Sequence, residues 1–165
     1  MKKFRLFALV ATLFVALGAM AELPSVKLKD INGNNVDTST LSNDGKPFII
    51  DFFATWCKPC NRELDAINEV YADWQEETGV KVICVSINEA QDTNKVKPLV
   101  DSKGWEFETV LLDPNSDLLH SLGGQMIPYV VICDGNGNIV DTRNGYIEGS
   151  ESHLIEKVRE LVNSK

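Results

Sequence analysis

Phe48-Ile49-Ile50-Asp51-Phe52-Phe53-Ala54-Thr55-Trp56-Cys57-Lys58-Pro59-Cys60 joins an almost uninterrupted apolar run to two cysteines separated by two residues. Such a run reads as a strand covered on both faces of a sheet. Beyond Cys57, the residues Leu64, Ile67, Val70, Tyr71 and Trp74 recur at spacings of three and four, and Gly79 follows as a helix stop. The spacing predicts a long amphipathic helix from Cys57 to about Thr78. A central strand therefore delivers the cysteine pair to the first turn of a helix.

Working outward, Val26 to Leu28 and Val36 flank Asn32-Gly33-Asn34-Asn35, and Asn-Gly between such segments signals a hairpin. On the other side, a second buried strand is expected over 80–87, a helix over 93–102, a short strand over 110–112 and a helix over 116–122. Ile127-Pro128 opens another apolar run that ends at Cys133. The turn Asp134-Gly135-Asn136-Gly137-Asn138 then leads to a partner strand over 139–142. Leu154, Ile155, Val158, Leu161 and Val162 mark a C-terminal amphipathic helix. Strands alternating with helices, closed by a hairpin and a helix, define an α/β domain with a mixed sheet.

The first residues have a different character. Lys2, Lys3 and Arg5 precede an apolar run from Leu6 to Ala21, which ends in Ala19-Met20-Ala21 before Glu22. The run is short for a membrane span, and small residues at the first and third positions of the triplet suit signal peptidase. The expectation is a signal peptide over 1–21, cleaved after Ala21, and one domain over 22–165. An uncleaved membrane anchor is the alternative. Removing 21 of the 165 residues leaves 144, enough for one substantial core. That remainder carries 13 basic and 24 acidic residues, a net charge of −11, which argues against nucleic-acid binding.

Four cysteines follow the apolar leader: Cys57, Cys60, Cys84 and Cys133. Only the first two have an informative spacing. At a helix N-terminus the partial positive charge of the helix favours a thiolate on the first sulfur, and the nearby ammonium of Lys58 adds to it. Lowering a thiol from pKa about 8.5 to about 7 takes roughly 2 kcal/mol of preferential anion stabilisation. Pro59 suits the first turn, where its missing N–H costs least. A zinc site would need two further ligands, but Cys84 and Cys133 stand alone in apolar strands and His120 and His153 form no pair. No metal is expected. A bond closing so small a loop braces the unfolded chain little, so exchange chemistry suits it better than a structural role.

The segment from Ile50 to Cys60 resembles the active-site segment of thioredoxins, and the wider chain is similar to the TlpA/ResA branch of thioredoxin-like thiol–disulfide oxidoreductases. The likeness runs from the opening hairpin through Gly45-Lys46-Pro47, the cysteine helix and an inserted helix–strand pair to Ile127-Pro128. It implies a thioredoxin fold with an N-terminal β-hairpin and a mixed central sheet flanked by helices. It further implies Cys57 as an exposed attacking thiolate, Cys60 as the resolving thiol, and Pro128 as a cis-proline facing the pair. Trp56 and the Ile127 backbone would help present substrate. Asp51, six residues before Cys57, and Glu63, three after Cys60, fall where these proteins place acids.

Physical readings of the two acids stay open. Asp51 interrupts an apolar strand; buried without a partner, its pKa would rise toward a range useful for deprotonating Cys60, whereas solvent or a cation would leave it an ordinary strand residue. Glu63 shares a helix face with Cys60 and either handles protons or is a solvated residue beside Arg62. Two features depart from the resemblance. Leu64-Asp65 continues the helix without the proline many relatives carry, which predicts no kink there. Lys58 favours thiolates and so makes the pair more oxidising.

The resemblance implies an exported, periplasmic or extracytoplasmic protein-disulfide reductase without metal or organic cofactor, acting on protein thiols and disulfides. A membrane thiol donor and apocytochrome c are the partners it suggests. The alternatives are a thiol peroxidase of peroxiredoxin type and a non-catalytic peptide-binding module. A threonine three residues before the attacking cysteine, usual in the former, is absent: Ala54 precedes Cys57 and Cys57 precedes Cys60. In the sheet order the resemblance implies, the strands of Cys84 and Cys133 flank the central strand on opposite sides, too far apart to bridge, and both read as core residues. The loops at Asp30 and Asp134 read as turns and not as calcium sites.

Overall fold

A computed structural model describes residues 21–164 of the chain. The expected signal peptide lies almost wholly outside the described residues. In chain order the elements are β1 (Ala21–Glu22), β2 (Lys27–Asp30), β3 (Asn35–Asp37), β4 (Phe48–Phe53), α1 (Lys58–Thr78), β5 (Lys81–Ser86), α2 (Val96–Lys103), β6 (Thr109–Leu112), α3 (Asp117–Ser121), β7 (Tyr129–Cys133), β8 (Asn138–Asn144) and α4 (Ser152–Asn163). They form one sheet in the order β1-β8-β7-β4-β5-β6-β2-β3. β4, β5 and β6 run parallel, while β7 and β8 on one side and β2 and β3 on the other are antiparallel. The mixed sheet, the hairpin of β2 and β3, and the inserted pair α2 and β6 agree with the sequence reading.

All six residues of β4 are buried, as a central strand requires. Its pleat divides them between two cores. Ile49 and Phe53 meet Leu64, Ile67, Tyr71 and Trp74 of α1, with Val96 and Val100 of α2 and Leu154, Ile155 and Val158 of α4. Phe48, Ile50 and Phe52 join Leu118, Leu119 and Leu122 on the opposite face. Asp51 projects with Ile49 and Phe53 toward α1, so the polar exception in the strand lies on the cysteine-bearing face.

α1 runs uninterrupted for 21 residues, consistent with the missing proline after Glu63. It ends because Gly79 adopts φ 68°, and its N–H bonds the Gln75 carbonyl at 2.8 Å. A Cβ there would also come within 2.6 Å of the Lys46 side chain.

Three boundaries differ from expectation. A 3-10 turn at Ala90–Lys95 precedes α2, because a helix starting at Thr93 would bury Pro98 in its interior; starting at Val96 places it in the first turn, where no N–H is needed. α3 is shorter than 116–122. Its N-terminal N–H groups at Asp117, Leu118 and Leu119 are taken by the buried Asp113 carboxylate, at 2.9, 3.0 and 3.1 Å. β8 extends two residues further than expected, to Asn144, with a register shift between Ile132 and Cys133.

Candidate active site

Cys57 and Cys60 form a disulfide with their Cα atoms 5.3 Å apart. Cys57 is the N-cap of α1 in extended conformation, and its sulfur accepts the Cys60 N–H at 3.3 Å. Lys58 and Pro59 occupy the first helical positions, so the sulfur sits where unpaired backbone N–H groups and the helix dipole favour negative charge. Cys57 is not the exposed residue expected from the resemblance: in the disulfide state it is 5% accessible, against 0% for Cys60. The bond to Cys60 and the N–H contact draw its sulfur into the helix end. Trp56, 66% exposed, projects beside it.

The loop carrying Trp56 and Cys57 is clasped from below by a residue the sequence reading missed. Asn88 is 1% exposed; its Oδ1 accepts the Thr55 N–H at 2.9 Å and the Ser86 hydroxyl at 2.9 Å, and its Nδ2 donates to Thr55 Oγ1 at 2.7 Å. Asn61 Nδ2 holds the Thr55 carbonyl at 3.2 Å. No periodicity marks an asparagine after a strand for such a task.

Ile127–Pro128 is a cis peptide, and the Pro128 carbonyl accepts the Gly145 N–H at 2.8 Å, tying the segment after β8 to the strand. Ile127 packs against both cores. Met126 is 64% exposed. A groove of about 460 Å³ runs beside Trp56, lined by Ile87, Glu89, Asp92, Pro114, Asn115 and Ser116. A larger one, about 600 Å³ between Lys27, Leu28 and Pro114, shares no residue with the disulfide site.

Both acids are fully buried. Neither carboxylate oxygen of Asp51 has a hydrogen-bond partner among the described residues. Burial pushes its pKa up to about 7, and the nearby Arg143 charge pulls against that rise. Glu63 is not the solvated residue that one reading allowed, since it forms an ion pair with Arg143 of β8. Arg143 also went unnoticed in the sequence. Its Nη1 donates to the Ser150 carbonyl at 2.6 Å, and burial lowers its pKa against the raising effect of Asp51, Glu151 and Tyr146.

The remaining candidates are structural. Cys84 and Cys133 are free and buried, on strands flanking β4 and also in different cores. The Asp30 and Asp134 carboxylates are each taken up by N–H groups of their own turns, from Asn32 and Asn34 and from Asn136 and Asn138. Trp74 and Trp105 are core residues. His153 pairs with Glu156 on the surface.

A mixed sheet that feeds a Cys-x-x-Cys disulfide into a helix N-terminus, with a cis-proline segment nearby, defines a thioredoxin-fold thiol–disulfide oxidoreductase. The chain belongs to the AhpC/TSA family, which it matches over residues 19–142, and stands there with proteins of the ResA type. It is 30% identical over 142 residues to a thiol-disulfide oxidoreductase ResA of Geobacillus thermodenitrificans, covering 85% of this chain and 77% of that one. The solution structure of an uncharacterized thioredoxin-like protein from Porphyromonas gingivalis is 60% identical, with a TM-score of 0.77 over 86% of this chain and 92% of the other. A putative thiol:disulfide interchange protein DsbE from Chlorobium tepidum shares the fold at 22% identity, with a TM-score of 0.73 over 87% and 96% of the two chains.

Proposed function

We propose that the protein is exported by a signal peptide cleaved after Ala21 and reduces disulfides of other exported proteins in the periplasm or an equivalent compartment. The observation that carries this reading is the placement of the Cys57–Cys60 pair at the N-terminus of α1, on the same side of the sheet as the buried Asp51. In the dithiol state, the Cys57 thiolate attacks a substrate disulfide; one sulfur of the substrate leaves and takes a proton. Cys60 then passes its proton to the Asp51 carboxylate, attacks the Cys57 sulfur and closes the disulfide. The second substrate sulfur departs as a thiolate and recovers a proton. Two electrons move from the dithiol to the substrate.

Trp56 and the backbone of Ile127 beside Pro128 bind an extended segment of the substrate, with the exposed Met126 adding apolar contact. No metal or organic cofactor takes part. The disulfide is returned to the dithiol by a membrane thiol donor, and apocytochrome c is one candidate substrate.

The test equilibrates the protein with glutathione buffers and traps free thiols, with Cys57→Ser as control. A potential near or below about −250 mV supports a reductant, whereas one near about −120 mV reverses the direction. Peroxide consumption by the reduced protein without a disulfide substrate would favour a thiol peroxidase. Function surviving replacement of both cysteines would leave only a peptide-binding module. N-terminal sequencing of the exported chain checks the cleavage after Ala21.

A further inference from the structure

We propose that Arg143 is a positioning residue for the exchange reaction: by pairing with Glu63 it fixes that carboxylate as an anion and leaves Asp51 to take the Cys60 proton. The inference rests on the reading of Asp51 above and adds the residue that separates the roles of two buried acids.

The placement follows from sheet register. Asp51 stands opposite Val130, and Val130 stands opposite Arg143. One cross-strand row therefore carries the acid and the cation two strands apart on a single face, toward which Glu63 points from α1. The Arg143 side chain is 21% exposed and Glu63 is 0%. Its guanidinium is split between two tasks: Nη2 pairs with Glu63, and Nη1 donates to Ser150 in the segment between β8 and α4.

A buried carboxylate without a partner favours its neutral form, whereas one paired with a guanidinium favours the ionised form. Among the described residues neither acid accepts a hydrogen bond, and the difference between them is the ion pair: Glu63 stands against the Arg143 guanidinium, whereas Asp51 forms none. The other groups around them do not alter this division. Cys84, opposite Asp51 on β5, is held as a neutral thiol by burial and by the adjacent acid. Glu151 and Tyr146 act on Arg143, favouring its charged form. Cys60 shares the buried face of α1 with Glu63. When Cys60 resolves the mixed disulfide, its S–H proton goes to an Asp51 oxygen, the Cys57–Cys60 bond forms as the Cys57–substrate bond breaks, and the departing thiolate takes a proton.

The test follows the carboxyl carbon resonances of Asp51 and Glu63 against pH in the full chain, oxidised, for wild type, Arg143→Met, Arg143→Lys and Glu63→Gln. Asp51 should titrate near neutrality in the wild type while Glu63 shows no step there. Arg143→Met should raise the Asp51 midpoint by about one unit or more and give Glu63 a new step, and Arg143→Lys should restore most of both. Glu63→Gln frees the guanidinium toward Asp51 and should lower its midpoint. An unchanged Asp51 midpoint in Arg143→Met, or Glu63 titrating near neutrality in the wild type, overturns the proposal. If Arg143→Met does not fold, Arg143→Lys and Glu63→Gln still decide it. Release of substrate from the Cys57 mixed disulfide is timed separately in Asp51→Asn: unslowed release refutes Asp51 as proton acceptor, and with it the second half of the proposal, while the pairing of Arg143 with Glu63 stands or falls by the titration.

Discussion

Asp51 and Cys84 lie directly opposite one another on the parallel strands β4 and β5, both without solvent exposure. A buried acid so placed disfavours the thiolate beside it. Cys84 therefore has a pKa raised well above the usual thiol value by burial first and by Asp51 next. On the far face, burial pushes Cys133 up to about 12. With the protein reduced at about pH 8, alkylation followed by mass spectrometry should modify Cys57 and leave Cys84 and Cys133 untouched until denaturant is added. Fast modification of Cys84 in the native protein would contradict the inert assignment.

Asp51 also makes stability depend on pH. Its folded pKa, about 7, lies above the ordinary 3.8, so the folded state binds more protons than the unfolded state between those values. The sign is that stability falls as pH rises through this window and the loss is complete above it. A shift of this size corresponds to roughly 4 kcal/mol as an upper figure. Urea denaturation of the oxidised protein should show Asp51→Asn more stable than wild type at about pH 8, with the gap closing toward about pH 4. Parallel profiles for the two proteins would refute the buried, unpartnered carboxyl.

Asn88 offers a test of the clasp under the active-site loop. Asn88→Ala removes three side-chain hydrogen bonds, leaving the Thr55 N–H without an acceptor and the Ser86 hydroxyl with only the backbone N–H of residue 88 as partner. The expected cost is about 1–3 kcal/mol in denaturation, with faster amide exchange at Thr55. Unchanged exchange there would mean that the loop is held by Asn61 and the helix end alone.

Lys58 sits at the first position of α1, next to Cys57. Lys58→Glu replaces a cation that favours the thiolate with an anion that opposes it, which destabilises the dithiol form. The potential should fall by about 15–30 mV, read in glutathione buffers. A rise would show that the side chain acts on the disulfide state instead.

The sequence reveals β4, α1 and the cysteine pair because each is a local pattern: an apolar run, a three-and-four spacing, and two sulfurs at a helix start. The cis-proline was legible only through resemblance. Arg143 was not legible at all, since nothing local to Thr142-Arg143-Asn144 signals burial. Its position over Asp51 depends on two strand pairings and on a register shift at Ile132/Cys133. Glu63 could not be settled for the same reason, as its partner comes from an element 80 residues along the chain. The start of α2 was legible in principle from Pro98, which cannot sit deep in a helix that begins at Thr93.

The ends of the sheet bear on whether it pairs with other chains. At one margin the outermost strand, β3, has three residues and carries Asp37 ion-paired with Lys27. Short, charged margins give a stray extended chain almost nothing to zip onto. That margin of the sheet is thereby guarded against becoming the seed of an aggregate.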